Sequence, residues 1–132
     1  MILKFRAWDK EFKEMVQVNA LLLDDQAIMA TYKNGSVTKE DMKSYDLMQS
    51  TGLKDDFDKE IFEGDVILWT YWDEFEDSGR AKIVFDKGMF KLLDIHTGKE
   101  AWDSLFDCIE NCNVYLQGNV YETPELKELV KE

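Results

Sequence analysis

The sequence has a single proline, a single histidine and two cysteines among its 132 residues. It therefore lacks the composition of a proline-rich linker, of a disulfide-stapled domain, or of a zinc site built from several cysteine and histidine ligands. No apolar run is longer than residues 66–69, whereas a membrane-spanning helix needs about 20 such residues. We expect no membrane span. Since the first residues also lack the apolar stretch of a signal peptide, we expect a cytoplasmic protein.

Positive charge is also scarce. Sixteen Lys and Arg stand against 28 Asp and Glu, which gives a net charge of −12. This sign repels the phosphate backbone and disfavours general nucleic-acid binding. The 45% hydrophobic and 13% aromatic residues are typical of a folded chain, and the length fits one domain over residues 1–132.

The few metal-binding residue types are not arranged as a metal site. Cys108 and Cys112 lie four apart in a segment with helical patterning, where a disulfide is awkward, so we interpret them as small buried hydrophobes. His96 has no serine or cysteine motif that it would serve as a base. The acidic segment 55–60 fails as an EF-hand, because a loop counted from Asp56 lacks the required Gly and Glu. The sequence predicts no metal and no cofactor.

Short β-prone segments separated by turn residues dominate the sequence. They predict a hairpin of residues 3–8 and 15–23, followed by strands at 27–32, 66–71, 80–85, 89–95 and 114–121. Gly118 marks a possible bulge in the last strand. The fold class expected from this pattern is mainly β with short helices, either a small twisted sheet or an SH3-like, partly closed barrel.

Three short helices are predicted between and after the strands. Capping signals place one from Thr38 to about Tyr45 and another at the C-terminus, from Thr123 to about Lys131. A third begins after Asp103 or Ser104, and the residues expected on its inner side are Leu105, Phe106 and Ile109.

Four segments carry more specific patterns. They are residues 4–9 (KFRAWD), 47–55 (LMQSTGLKD), 59–67 (KEIFEGDVI) and 118–126 (GNVYETPEL). Together, and in this order, they resemble the YopX family of phage and prophage proteins. One departure is Phe57-Asp58, where the family more often has an Asn-Gly turn, so the geometry of the 55–60 hairpin stays open. The resemblance implies a mostly β protein of a phage or prophage that acts in the host cytoplasm, and it implies no particular reaction.

Residues 71–77 interleave three aromatic side chains with four carboxylates in a predicted loop between strands. Exposed aromatic residues in loops are frequent binding anchors, and the acids favour a basic partner. We therefore interpret this loop as a contact surface, formed by Tyr71, Trp72, Asp73, Glu74 and Phe75. The alternative is that Tyr71 and Phe75 fold into the core while the acids are only solvated. Two other aromatic residues, Trp69 and Trp102, are expected in the core or in an interface.

The least acidic stretch after the N-terminal third is residues 81–100. Its net charge is +1, whereas residues 61–80 and 101–132 together supply −10 of the −12. A local basic face there is a possible phosphate contact, and its residues are Lys82, Lys87, Lys91 and Lys99.

The leading hypothesis is a non-enzymatic accessory protein of a phage or prophage that binds a host or phage protein with a basic surface. One alternative is a module that binds nucleic acid through the 81–100 lysines, or an acidic mimic of nucleic acid. A small enzyme is another alternative, although no catalytic motif occurs. Association into a homo-oligomer is also plausible, because a small β protein exposes strand edges.

Overall fold

The computed structural model of the chain describes residues 3–71, 74–123 and 125–126, and for residues 74–77 it describes the backbone. The chain divides into two compact units, Met1–Ser50 and Thr51–Glu132. The single domain over residues 1–132 therefore stays a prediction, and each unit is described by itself.

The first unit is an antiparallel sheet of strands in the order β4-β3-β2-β1-β5. The strands are β1 Phe5–Asp9, β2 Glu14–Leu22, β3 Ala27–Thr31, β4 Val37–Asp41 and β5 Tyr45–Lys54, the last of which continues into the second unit. The alternating apolar residues of β1 and β2 face one side, and Ala7 lies opposite Val16 in the predicted hairpin, which is confirmed. They form the core of this unit with Ile28, Ala30 and Tyr45.

The helix predicted from Thr38 is wrong. Residues 37–41 form β4, which pairs with β3 so that Thr38 lies opposite Ala30. Helical structure is limited to the one 3₁₀ turn Met42–Ser44, whose first free N–H, that of Lys43, donates to the side chain of Asp41. The N-cap is therefore Asp41 and not Thr38, because cross-strand pairing of residues 37–41 outweighs the local capping signal at Thr38.

The second unit is built on another antiparallel sheet, in the order β10-β9-β8-β7-β11. Its strands are β7 Asp65–Tyr71, β8 Glu74–Asp86, β9 Met89–Asp94, β10 Glu100–Ala101 and β11 Asn113–Asn119, while β6 Glu60–Phe62 neighbours β5. The mainly β fold with a short helix is confirmed, and the described strands form two open sheets rather than a closed barrel.

One face of this second sheet carries the main core. Its fully buried side chains include Ile67, Ile83, Leu92 and Val114, and the helix α1 (Leu105–Asn111) covers them. Ser104 caps α1 as predicted, since its Oγ accepts from the N–H of Asp107. The inward position of Phe106 is wrong, because its side chain is 59% exposed. The inward position of Leu105 is confirmed, and Cys108, three residues further on the same face, is buried with it. Ile109 is half-buried and packs against the core, as predicted.

The two cysteines are buried and unbonded, as the sequence predicts. Burial raises the pKa of both thiols above the ordinary value, and for Cys108 the neighbouring sulfur of Cys112 raises it further. Protonated, enclosed thiols behave as apolar packing groups.

The last part of the chain is described in part. A register shift between Leu116 and Gly118 confirms the predicted bulge in β11. Of the helix predicted from Thr123 to Lys131, residues 125 and 126 are described and are helical, and the remainder lies outside the described residues.

A buried carboxylate ties the 55–59 turn to the edge of the second sheet. Asp55 is 6% exposed, and its Oδ1 accepts from the N–H groups of Phe57 and Lys59, each at 2.9 Å. Its Oδ2 accepts from the N–H of Leu116 in β11, also at 2.9 Å. The turn takes a left-handed residue at Asp58, with φ +67°. This defines the hairpin geometry that the sequence left open.

Replacement of Asp55 by Ala should destabilise the protein strongly. It removes the acceptor of three backbone N–H groups, each of which costs about 1–3 kcal/mol when buried without a partner. We expect the free energy of unfolding in urea to fall by about 3 kcal/mol. The exposed turn residue Asp24 provides the control, because Asp24→Ala should change the free energy of unfolding by less than about 0.5 kcal/mol. Equal effects of the two substitutions would contradict this role of Asp55.

Candidate functional site

The described residues of the acidic-aromatic segment belong to a β hairpin rather than to a long loop. The loop predicted between Tyr71 and Gly79 is wrong, because β7 extends to Tyr71 and β8 begins at Glu74. The register passes from the pair Thr70–Ser78 to the pair Tyr71–Glu74, so residues 75–77 lie opposite no residue of β7. Acidic residues are uncommon in strands, which is why the sequence pattern favoured a loop.

The proposed contact residues are described to different extents. Tyr71 lies at the end of β7 with 39% of its surface exposed. Glu74 and Phe75 have their backbone in β8, and their side chains are outside the described part. Trp72 and Asp73 lie outside the described residues altogether. The structure thus places Tyr71 and the backbone of Glu74 and Phe75, and the use of these residues as a contact surface stays a prediction.

Three aromatic rings pack together at the end of β7, where Tyr71 lies. The ring centroids of Trp69 and Tyr71 are 6.2 Å apart, and those of Trp69 and Trp102 are 5.5 Å apart, both in edge-to-face geometry. Tyr71 and Trp102 complete the triangle at 5.6 Å. We call these three residues the aromatic cluster. Edge-to-face packing holds each ring in one orientation, so the exposed Tyr71 is presented on a fixed support.

Two backbone features position the aromatic cluster. Gly79 lies opposite Trp69 in the sheet, and a Cβ at this position would stand 2.9 Å from Cζ2 of the indole. Trp102 has a φ of +63°, in the left-handed region that large side chains rarely adopt. Such a conformation costs of order 1–3 kcal/mol and persists where the surrounding packing determines it.

Replacement of Gly79 by Ala should disturb the aromatic cluster. The added methyl group contacts a rigid ring, so Trp69 must shift, and overpacking of this kind costs about 1–3 kcal/mol of stability. We expect the near-ultraviolet circular dichroism of the coupled rings to weaken along with the melting temperature. Ser78→Ala in the same strand, at an exposed position, should leave both unchanged. A normal aromatic spectrum in Gly79→Ala would show that Gly79 does not position Trp69.

Sequence patterns indicated only part of this site. The spacing of Trp69 and Tyr71 on one strand places both side chains on the same face of the sheet. Trp102 carries no such signal, because it reaches the cluster from the connection between β10 and α1.

The four lysines of the alternative hypothesis are not gathered at one place. Lys82 and Lys91 share the face of the sheet opposite the core, since each is out of phase with the buried residues of its strand. Lys91 is 13% exposed at its side chain and pairs with Glu100 at 3.2 Å. Lys87 lies in the turn before β9 and Lys99 in the turn after it, at opposite ends of that strand.

The first unit contains a buried titratable cluster that the sequence did not indicate. Asp9 is 3% exposed, and its Oδ2 accepts from the hydroxyl of Tyr32 at 2.6 Å, which also bonds the hydroxyl of Tyr45. Burial alone raises the pKa of Asp9, but the bonds from Tyr32 and from the N–H groups of Phe12 and Glu11 outweigh it, so the pKa lies below 3.8. Burial and the hydrogen bonds with Asp9 and Tyr45 raise the pKa of Tyr32.

The lowered pKa of Asp9 makes a specific prediction about pH. A carboxylate with a depressed folded-state pKa stabilises the fold above its unfolded pKa of 3.8, and this contribution is lost as the pH falls through the lower folded value. We expect Asp9→Asn to lower the free energy of unfolding by about 1–3 kcal/mol at neutral pH. The deficit should shrink progressively below pH 3.8. A deficit that is the same at neutral and acid pH would contradict the assignment.

Other candidate chemistry is weak in the part of the chain that the structure describes. His96 is exposed, and its backbone N–H donates to Oδ1 of Asp94. Within residues 3–71, 74–123 and 125–126, no group of three or more His, Cys, Asp or Glu side chains is placed to hold a metal ion. Over the same residues, no helix is long and apolar enough to cross a membrane.

These features define a small antiparallel β protein in which buried polar side chains hold the turns and an aromatic cluster supports an acidic hairpin. The chain belongs to the YopX family, whose sequence model, described as YopX protein, matches residues 4–128. The resemblance drawn from the four sequence segments is thereby confirmed.

Two solved structures are similar to the chain. Protein EF1440 from Enterococcus faecalis is 28% identical with a TM-score of 0.68, and the match covers 96% of this chain and 98% of that one. Protein yopX from Bacillus subtilis is 18% identical with a TM-score of 0.60, and the match covers 93% and 96% of the two chains. No curated protein matches the chain.

The four family-like segments contribute turn-holding residues in this structure. Each supplies at least one buried polar side chain, among them Asp9, Asp55, Asp65 and Asn119. Oδ2 of Asp65 accepts from the N–H of Phe62 at 2.7 Å, and Oδ1 of Asn119 accepts from the N–H groups of Tyr121 and Glu122. Residues that carry the family resemblance thus stabilise turns of the fold.

Proposed function

We propose that the protein is a non-enzymatic interaction module of a phage or prophage, acting in the bacterial cytoplasm, and that the β7–β8 hairpin contacts a partner protein. The contact residues are Tyr71, Trp72, Asp73, Glu74 and Phe75. The observation that carries this proposal is the aromatic cluster, which holds the exposed Tyr71 at the end of β7, where it pairs with Glu74.

The geometry supports binding rather than simple burial of Tyr71. Aromatic anchors contribute most to an interface when they are held rigid before binding, because little side-chain entropy is then lost. Tyr71 contacts two rings and still exposes 39% of its surface. The left-handed backbone at Trp102 also fits this interpretation, since backbone strain is often found at functional sites.

The chemistry of the partner follows from the charge of the hairpin. Four carboxylates lie within residues 71–77, and the segment contains no Lys or Arg. A basic protein surface would be attracted at long range and would present Arg or Lys to these acids. The partner expected is a host or phage protein with such a surface.

The proposal is tested by affinity capture from lysogenic or infected host cells with the full chain as bait. Trp72→Ala combined with Phe75→Ala removes two aromatic anchors, and we expect the captured partner to fall by at least about tenfold. Capture should also weaken as salt rises, because the acids contribute electrostatic attraction.

The matched control removes exposed apolar area elsewhere. Phe12 and Leu23 are 71% and 73% exposed in the first unit, so Phe12→Ala with Leu23→Ala should leave capture unchanged. If the hairpin variant retains the same partners as the native chain, the hairpin is not the contact surface.

A further inference from the structure

An open apolar groove lies on the second unit, beside the start of α1. Its volume is about 340 Å³, and its apolar walls are Leu53, Met89, Phe90, Leu105 and Phe106. Two of these side chains are unusually exposed for their type, since Met89 is 43% and Phe106 is 59% accessible. Large apolar side chains around a concavity mark sites that bind apolar groups.

The apolar surface continues beyond the groove. Phe85, which is 48% exposed, packs on Phe90 with ring centroids 5.0 Å apart. Both residues lie near the end of the β8–β9 hairpin, next to the pair of Asp86 and Met89 that flanks its turn. The exposed rings therefore extend the wall of the groove along the end of the sheet.

The polar side chains in the groove are already engaged by the fold. The hydroxyl of Thr51 donates to the carbonyl of Ile61 at 2.7 Å and accepts from the N–H of Leu53 at 3.1 Å. The Oγ of Ser104 accepts from the N–H of Asp107 at 3.1 Å. A polar small molecule would thus find few groups to orient it, whereas an apolar side chain needs none.

The surroundings of the groove are acidic. Glu110 lies one helical turn from Phe106 on the same face of α1, and Asp103 lies just before the helix. Both are exposed, as is Asp86 beside the β8–β9 turn, and Lys87 is the basic residue of that turn. Residues 101–111 contain Asp103, Asp107 and Glu110 and no Lys or Arg.

We propose that this groove binds the apolar face of a basic amphipathic helix on a partner protein. Leucine-like side chains at helical spacing would enter between Met89 and Phe106, and lysines or arginines beside them would face Asp103 and Glu110. This is the helix-in-groove mode of recognition, in which apolar anchors give affinity and flanking charges give specificity.

The acidic rim argues against two other occupants. A second copy of the chain would bring the same acids against one another across a twofold axis, which like-charge repulsion opposes. A membrane with anionic lipids would be repelled for the same reason. The groove shares no lining residue with the aromatic cluster, and the proposal does not depend on the function of the β7–β8 hairpin.

The test uses the full chain and a pair of synthetic helical peptides of roughly 14 residues, about four turns. One peptide combines Leu on one face with Lys on the other, and the second replaces every Lys by Glu. Fluorescence anisotropy of labelled peptide should show binding of the Leu/Lys peptide, and binding at least about tenfold weaker for the Leu/Glu peptide.

Variants locate the binding surface. Phe106→Ala should weaken binding of the Leu/Lys peptide by about tenfold. Phe12→Ala, which removes a similarly exposed ring in the first unit, should not change this binding. Asp103→Lys with Glu110→Lys should weaken binding of the Leu/Lys peptide and strengthen binding of the Leu/Glu peptide. Trp72→Ala with Phe75→Ala should leave peptide binding unchanged, which separates this proposal from the hairpin contact.

Several results would overturn the proposal. They are equal binding of the two peptides, binding that Phe106→Ala does not change, and no binding of the Leu/Lys peptide up to about 1 mM. Light scattering adds one more, because a dimer that Phe106→Glu dissociates would make a second copy the occupant. If Phe106→Ala does not fold, the charge-reversal variant decides, and unchanged peptide preference in that variant counts against the groove.

Discussion

Side-chain oxygens that accept hydrogen bonds from the N–H groups of turns are the interaction on which this architecture depends. Short strands leave many backbone donors at their ends, and each costs about 1–3 kcal/mol if it is buried without an acceptor. Asp55 serves three donors, and one of them belongs to Leu116, 61 residues further along the chain. The same carboxylate therefore shapes a local turn and closes the outer edge of β11, which would otherwise be open to pairing.

The same constraint engages buried polar side chains of the segments that carry the family resemblance. Like Asp55, the side chains of Asp9, Asp65 and Asn119 accept hydrogen bonds from backbone N–H groups of turns. The surfaces that we propose for recognition use side chains other than these four. Both lie in the second unit, and they are the aromatic cluster at the end of β7 and the apolar groove beside α1.

Local patterns predicted most of the strands and fewer of the long-range features. The hairpin of β1 and β2, the strand β7 and the cap at Ser104 follow from alternation and turn chemistry, which act over a few residues. The helix at Thr38 failed because pairing with β3 outweighed its capping signal. The start of β8 at Glu74 was not predicted, because acidic residues are uncommon in strands. The contact of Trp102 with Trp69 was not predicted either, because the two residues are far apart in the sequence.

Amide hydrogen exchange at Leu116 tests the central claim most directly. If Asp55 holds the turn against β11, the Leu116 amide should exchange as slowly as the amides of the core strands, since only global opening releases it. In Asp55→Asn one acceptor oxygen is lost, and the amides of Phe57, Lys59 and Leu116 should then exchange faster as a group. A Leu116 amide that exchanges as fast as an exposed loop amide in the native chain would contradict the claim.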